Sequence, residues 1–156
     1  MAQDLKSEFW NRIDKAQAGM LEAGGAEMTP MSHFADKDEG VLYFITAEGT
    51  DVERACHGSA QATHVVADSK AHLYARVEGT LTQEKNESKL DELWSPVAGA
   101  WFDKGRDDPK VRLIKFTPKT AEIWATDGAA GFMYEIAKAN LTDETPDVGD
   151  HGLIVF

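Results

Sequence analysis

From residue 73 to residue 83 the chain alternates without a break. Leu73, Ala75, Val77, Gly79 and Leu81 fall on one side, and Tyr74, Arg76, Glu78, Thr80 and Thr82 on the other. A period of two belongs to a strand with one face buried and one wet. Similar runs surround it. Residues 41–46 are largely apolar on both faces, which predicts a central strand, with Tyr43 and Ile45 buried against Leu73 and Val77. Residues 62–68 form another strand, and residues 111–117 and 121–125 read as two strands around Pro118. Residues 27–34 read as a weaker strand interrupted by Pro30, which points to an edge or a bulge. Six strands with short turns and few helices predict a mainly β (α+β) chain, a small β-barrel with peripheral helices, in a single domain spanning residues 1–156.

The helices are read from spacing and caps. Leu5, Phe9, Ile13, Ala16 and Met20 follow helical spacing over residues 4–21, and Gly24 and Gly25 stop or turn that segment. Thr50 or Asp51 can cap a short helix running to residue 58, and Asn86 one running to residue 94. Residues 131–140 read as a helix with Phe132, Ile136 and Ala139 along one side. The closing HGLIVF is too apolar to leave in water, so it packs as an edge strand or on a partner subunit.

Charge narrows the function classes. The net charge of −11 repels phosphate backbones and anionic lipid, so nucleic acid and membrane are not expected partners. No apolar run approaches the ~18 residues of a membrane span. The charged N-terminus lacks an apolar signal core, and the lone Cys56 fits a reducing compartment, so a cytoplasmic location is expected. The simplest role for Cys56 is a packed thiol. The five histidines form neither HExxH nor a helical pair, and one cysteine makes no zinc cluster, so no metal site is expected. No GxSxG, P-loop or GxGxxG occurs.

Residues 90–109, LDELWSPVAGAWFDKGRDDP, hold Trp94 and Trp101 seven apart, with Pro96 between them starting a second turn. The two indoles read either as core or as the wall of a flat ligand or partner site. The pattern Trp-x6-Trp-Phe-x2-Gly-x-Asp-Asp-Pro resembles the general stress protein 26 group of the pyridoxamine 5'-phosphate oxidase-like, FMN-binding split-barrel families. The resemblance runs from about Phe9 to Trp124. It implies a six-stranded split β-barrel with peripheral helices, a homodimer, and FMN at the subunit interface. In the family the end of the first helical region is already a strand, which leaves residues 19–22 open between the two.

A flavin site needs donors for the phosphate, a flat apolar bed for the ring, and polar groups at the ring edge. The resemblance places these at Thr29, Pro30, Met31 and Ser32, at Phe44, Ile45 and Thr46, at Thr50 and Arg54, and at Trp101. Two cations usual in the family are replaced, by Thr29 and by Val52; Arg54 is the candidate substitute. His33 adjoins this segment. No catalytic residue is identifiable. True pyridoxamine 5'-phosphate oxidase activity is not expected, because the C-terminal portion lacks that enzyme's Arg-x-His pattern. The readings are an FMN-binding, oxidoreductase-like stress protein acting on a small molecule, or a non-catalytic split barrel with a weakened or lost flavin site that binds another small ligand or a protein.

Overall fold

The computed structural model describes residues 4–147 and 149–156. Helix α1, Leu5–Ile13, starts at the Asp4 cap and buries Phe9, Trp10 and Ile13. It ends earlier than its spacing predicts. Ala18–Ala23 is strand β1, held by antiparallel ladders to β2, Thr29–Ser32, and to β5, Ser59–Asp68. Two ladders outweigh one more turn of weak amphipathic helix, and Met20 lies 39% exposed. A short β3, Phe34–Asp36, pairs with β4, Val41–Ala47. Helix α2, Asp51–Ala55, is capped by the Thr50 hydroxyl, which accepts the Glu53 N–H.

Strand β6, Leu73–Glu84, runs antiparallel to β5 along ten paired positions and buries the alternate residues that its sequence marks. Helix α3, Glu87–Leu93, follows the Asn86 cap, and the four-residue helix α4, Pro96–Gly99, follows Ser95. The two strands expected around Pro118 are one 16-residue strand, β7, Val111–Thr126. The ladder to β6 shifts at a bulge: Gly79 faces Pro118 and Glu78 faces Thr120, which leaves Lys119 unpaired with β6. A Cβ on Gly79 would lie 2.3 Å from the Thr117 carbonyl oxygen, so glycine lets the strand pass its proline without ending. Helix α5, Ala129–Leu141, leads to β8, Gly149–Val155, which adds to β7.

Among the described residues, eight strands rather than six form one antiparallel sheet, in the order β2-β1-β5-β6-β7-β4-β3, with β8 on β7. Its two end strands, β2 and β3, are consecutive in the chain and separated only by His33. The sheet therefore curls into a split barrel whose seam runs through that residue. Inside lies the main core, including Phe9, Leu21, Leu42, Phe44, Leu73 and Ile123. A smaller cluster on the other side of β4 joins Val41 and Tyr43 to Leu90 and Leu113, with Ile45 and Trp94 packed on it. Tyr43 and Ile45 thus do not meet Leu73 and Val77: neighbouring side chains on a strand point to opposite faces, and it is Leu42 and Phe44 that enter the main core. Phe156 closes the barrel end edge-on to Phe9 and Trp10, with centroids 5.3 and 5.8 Å apart. Cys56 is a buried free thiol whose pKa burial pushes up to about 11, with Glu53 adding to the shift, so the thiol form is favoured.

Candidate functional site

A cleft of about 510 Å³ opens at the seam. Its sheet wall comes from β1, β2 and β3 through Ala18, Pro30, Met31, Ser32 and Phe34. Beside these, β4 and the turn after it give Ile45, Thr46, Ala47 and Thr50. The opposite wall is α4 and its flanks: Ser95, Val97, Ala98, Trp101 and Phe102. Pro96 at the first helical position and the Ser95 hydroxyl accepting the Ala98 N–H start that short helix, and they turn the chain so that Trp101 reaches the rim.

Seven residues marked from sequence meet here: Pro30, Met31, Ser32, Ile45, Thr46, Thr50 and Trp101. Thr29, Phe44 and Arg54 lie outside the lining. Phe44 is fully buried in the main core, 5.0 Å from the His64 ring. Thr29 sits in the β2 ladder opposite Leu21. Arg54 turns back to the Gly49 carbonyl and the Asp51 carboxylate. Val52, at the position of the second lost cation, packs into the main core. The two indoles do not form one plate. Trp94 packs on Phe102 at 5.7 Å, while Trp101 is 82% exposed. Phe34, Ser95, Val97 and Phe102 were missed; the Ser-Pro pair that begins α4 was the available sign for the last three.

The polar side chains among the described lining residues are four hydroxyls, on Ser32, Thr46, Thr50 and Ser95. Thr50 Oγ accepts the Glu53 N–H at 3.2 Å and lies 3.1 Å from the Ala47 carbonyl and 3.0 Å from Thr46 Oγ. Among the described lining residues none is charged. A flavin ring fits this chemistry, with indole and phenyl faces, aliphatic edges and hydroxyls. A flavin phosphate does not, because no cation lines the cleft. A second groove of about 630 Å³, near Asp36 and Lys89, is charged, with more acids than bases along its lining. Lys89 lies 2.9 Å from Asp36 and 3.1 Å from Glu92, and Tyr43 donates to Glu39 at 2.5 Å.

Behind the sheet wall, His33 and His64 form a buried pair with Nδ1 of His33 3.0 Å from Nε2 of His64. His33 Nε2 lies 3.0 Å from the Ile13 carbonyl oxygen, an acceptor, so that nitrogen carries the proton. In the neutral ring Nδ1 then accepts from His64 Nε2–H, and among the described residues His64 Nδ1 is left as a buried acceptor without a partner. Burial lowers both basicities; His64, with His33 adding to the effect, falls to about 3. A Cβ on Gly19 would lie 2.7 Å from His64 Cε1, so glycine there lets β1 pass the pair.

The pyridoxamine 5'-phosphate oxidase like family model matches residues 4–147. A solved structure from Jannaschia sp. CCS1, a candidate general stress protein 26, is 48% identical over 100% of both chains, with a TM-score of 0.93. The general stress FMN/FAD binding protein of Xanthomonas citri is 22% identical, with 81% of this chain and 92% of that one covered and a TM-score of 0.72. The general stress protein 26 of Bacillus anthracis str. Sterne is 20% identical, with 76% and 92% covered and a TM-score of 0.66. The last two show the fold alone. A comparison with curated proteins returned no match.

Proposed function

The chain belongs to the pyridoxamine 5'-phosphate oxidase-like family, and from this premise we propose that the seam cleft is a flavin site and the protein an FMN-binding, oxidoreductase-like stress protein of the cytoplasm. The observation that carries the reading is the convergence of Pro30, Met31, Ile45 and Trp101 on one flat, mostly apolar cleft of drug-sized volume. When bound, the flavin supplies the redox chemistry. The chain's residues would hold the ring between Trp101 and the β4 edge, offer Ser32 and Thr46 to its polar rim, and exclude water.

The same reading makes the protein a homodimer with the cleft at the subunit interface. Val97 and Trp101 on the rim, Met133 and Tyr134 on α5, and Leu153 and Val155 on β8 are all more than 60% exposed in the single chain, and a second copy would cover them. Two measurements test this. The purified protein should show a flavin absorption spectrum, directly or after FMN is added, and sedimentation equilibrium at micromolar concentration should give twice the chain mass. A protein that takes up no flavin, or stays monomeric, rejects the corresponding part. The alternative, a split barrel with a weakened flavin site, draws support from the uncharged lining.

A further inference from the structure

The cleft separates two demands that a flavin mononucleotide makes together. Its ring asks for flat apolar surface, and its phosphate, close to a dianion at neutral pH, asks for cations or many hydrogen-bond donors. Within the single chain the first demand is met and the second is not. Among the described residues no charged side chain lines the cleft, and the whole chain carries −11. Arg54, the candidate substitute for the replaced cations, is engaged by Gly49 and Asp51.

The hydroxyls do not make up the difference. Thr50 has one proton for two neighbours, the Ala47 carbonyl and Thr46 Oγ. Making both contacts uses the protons of both threonines. Ser95 spends a lone pair on the Ala98 N–H and keeps its proton. Ser32 and Ser95 are then the side chains of the lining left free to donate. Two neutral donors are a poor match for a dianion, which costs far more to bring into an apolar site than a neutral group does.

Resting on the flavin reading above, we infer that the cleft selects an uncharged flat ring system, so that a flavin without its phosphate is preferred over FMN. The phosphate of FMN stays in water at the mouth of the cleft and faces the field of an acidic chain. Repulsion of that kind weakens as salt is added, whereas a phosphate held by cations loses affinity with salt. The sign of the salt effect is therefore diagnostic.

The test is an equilibrium titration of the full chain with FMN, riboflavin and lumichrome, the last being the tricyclic ring without its side chain, at low and high salt, read by fluorescence and calorimetry. Riboflavin should bind about threefold or more tighter than FMN at low salt, and the gap should close as salt is raised. Trp101→Ala should weaken both by the same factor. FMN binding as tightly as riboflavin, or more tightly, overturns the inference and leaves the flavin reading standing. Binding of lumichrome without either flavin removes the flavin reading and keeps the neutral-ring class. Binding of none of the three removes both.

Discussion

The two walls of the cleft are built differently. The sheet wall is locked by register: Ile45 faces Leu113, Thr46 faces Arg112, and Met31 faces Gly19. Behind it stand Phe44 and the His33–His64 pair, all buried. The other wall is one four-residue helix held by a proline, a serine cap and the Trp94–Phe102 contact, and its most prominent side chain is exposed. The first wall is part of the fold's stability. The second is carried by the fold and contributes little to it. A site made this way keeps one surface fixed and leaves the other free to adjust to the ligand or to a second subunit.

The largest test of this contrast is Phe44→Ala. Removing a ring that packs on His64 and Phe116 should cost about 3–5 kcal/mol in urea unfolding. A loss below about 1 kcal/mol would mean that the sheet wall is not anchored in the core. Acid should act on the same wall. The pKa of His64 is lowered on folding, so the folded state binds fewer protons than the unfolded one. Its contribution is intact above the unfolded value of about 6.5 and is lost as pH falls toward the folded value of about 3. Between pH 7 and pH 5 this removes about 2 kcal/mol, and the lowered pKa of His33 adds in the same direction. Asp14 and Asp68, which favour the charged form of His33, temper the effect without reversing it. A flat stability profile over that range would mean that the pair is solvated.

Smaller effects belong to the helix wall. Ser95→Ala removes the cap of α4 and should cost about 1 kcal/mol or less in global stability. Amides of residues 97–101 should then exchange faster while those of β4 and β6 are unchanged. Trp101→Ala should shift the unfolding midpoint by less than about 0.5 kcal/mol, because the indole is already in water, yet weaken binding of any flat ligand about tenfold. A large stability loss from Trp101→Ala would erase the distinction between the walls.

The same contrast marks what the sequence shows. Period-two alternation identified β6 and the buried residues of its inner face, and the caps at Thr50 and Asn86 are where their side chains predict them. Pro30 does sit on an end strand of the sheet. These are local features. Spacing alone does not show the break between α1 and β1, which the resemblance leaves open over residues 19–22, because Ala16 and Met20 keep helical spacing while pairing with β2 and β5 decides the outcome. Pro118 looks like a strand end until Gly79 is seen opposite it. The His33–His64 contact joins residues whose neighbours in sequence give no sign of each other. In the cleft, the residues that the family pattern marks on β2 and β4 come together along one wall, whereas Phe44 points into the main core. Nor does the Trp94–Trp101 spacing reveal that Pro96 sends the two indoles to different surroundings.

The seam at His33 also sets an order of assembly. The β5–β6 hairpin closes through a short turn, whereas β7 reaches β6 only after α3 and α4, and β4 must find β7 across β5, β6 and both helices, with Leu42 opposite Phe116. Contacts that close long loops form at greater entropic cost and set the pace of folding. The cleft needs the β1–β2 and β3–β4 hairpins together with the remote α4 wall, so a chain that has made only its local hairpins contains no binding site at all. Occupancy would therefore register completion: during refolding, ligand capture should trail the recovery of strand signal and coincide with burial of Phe44.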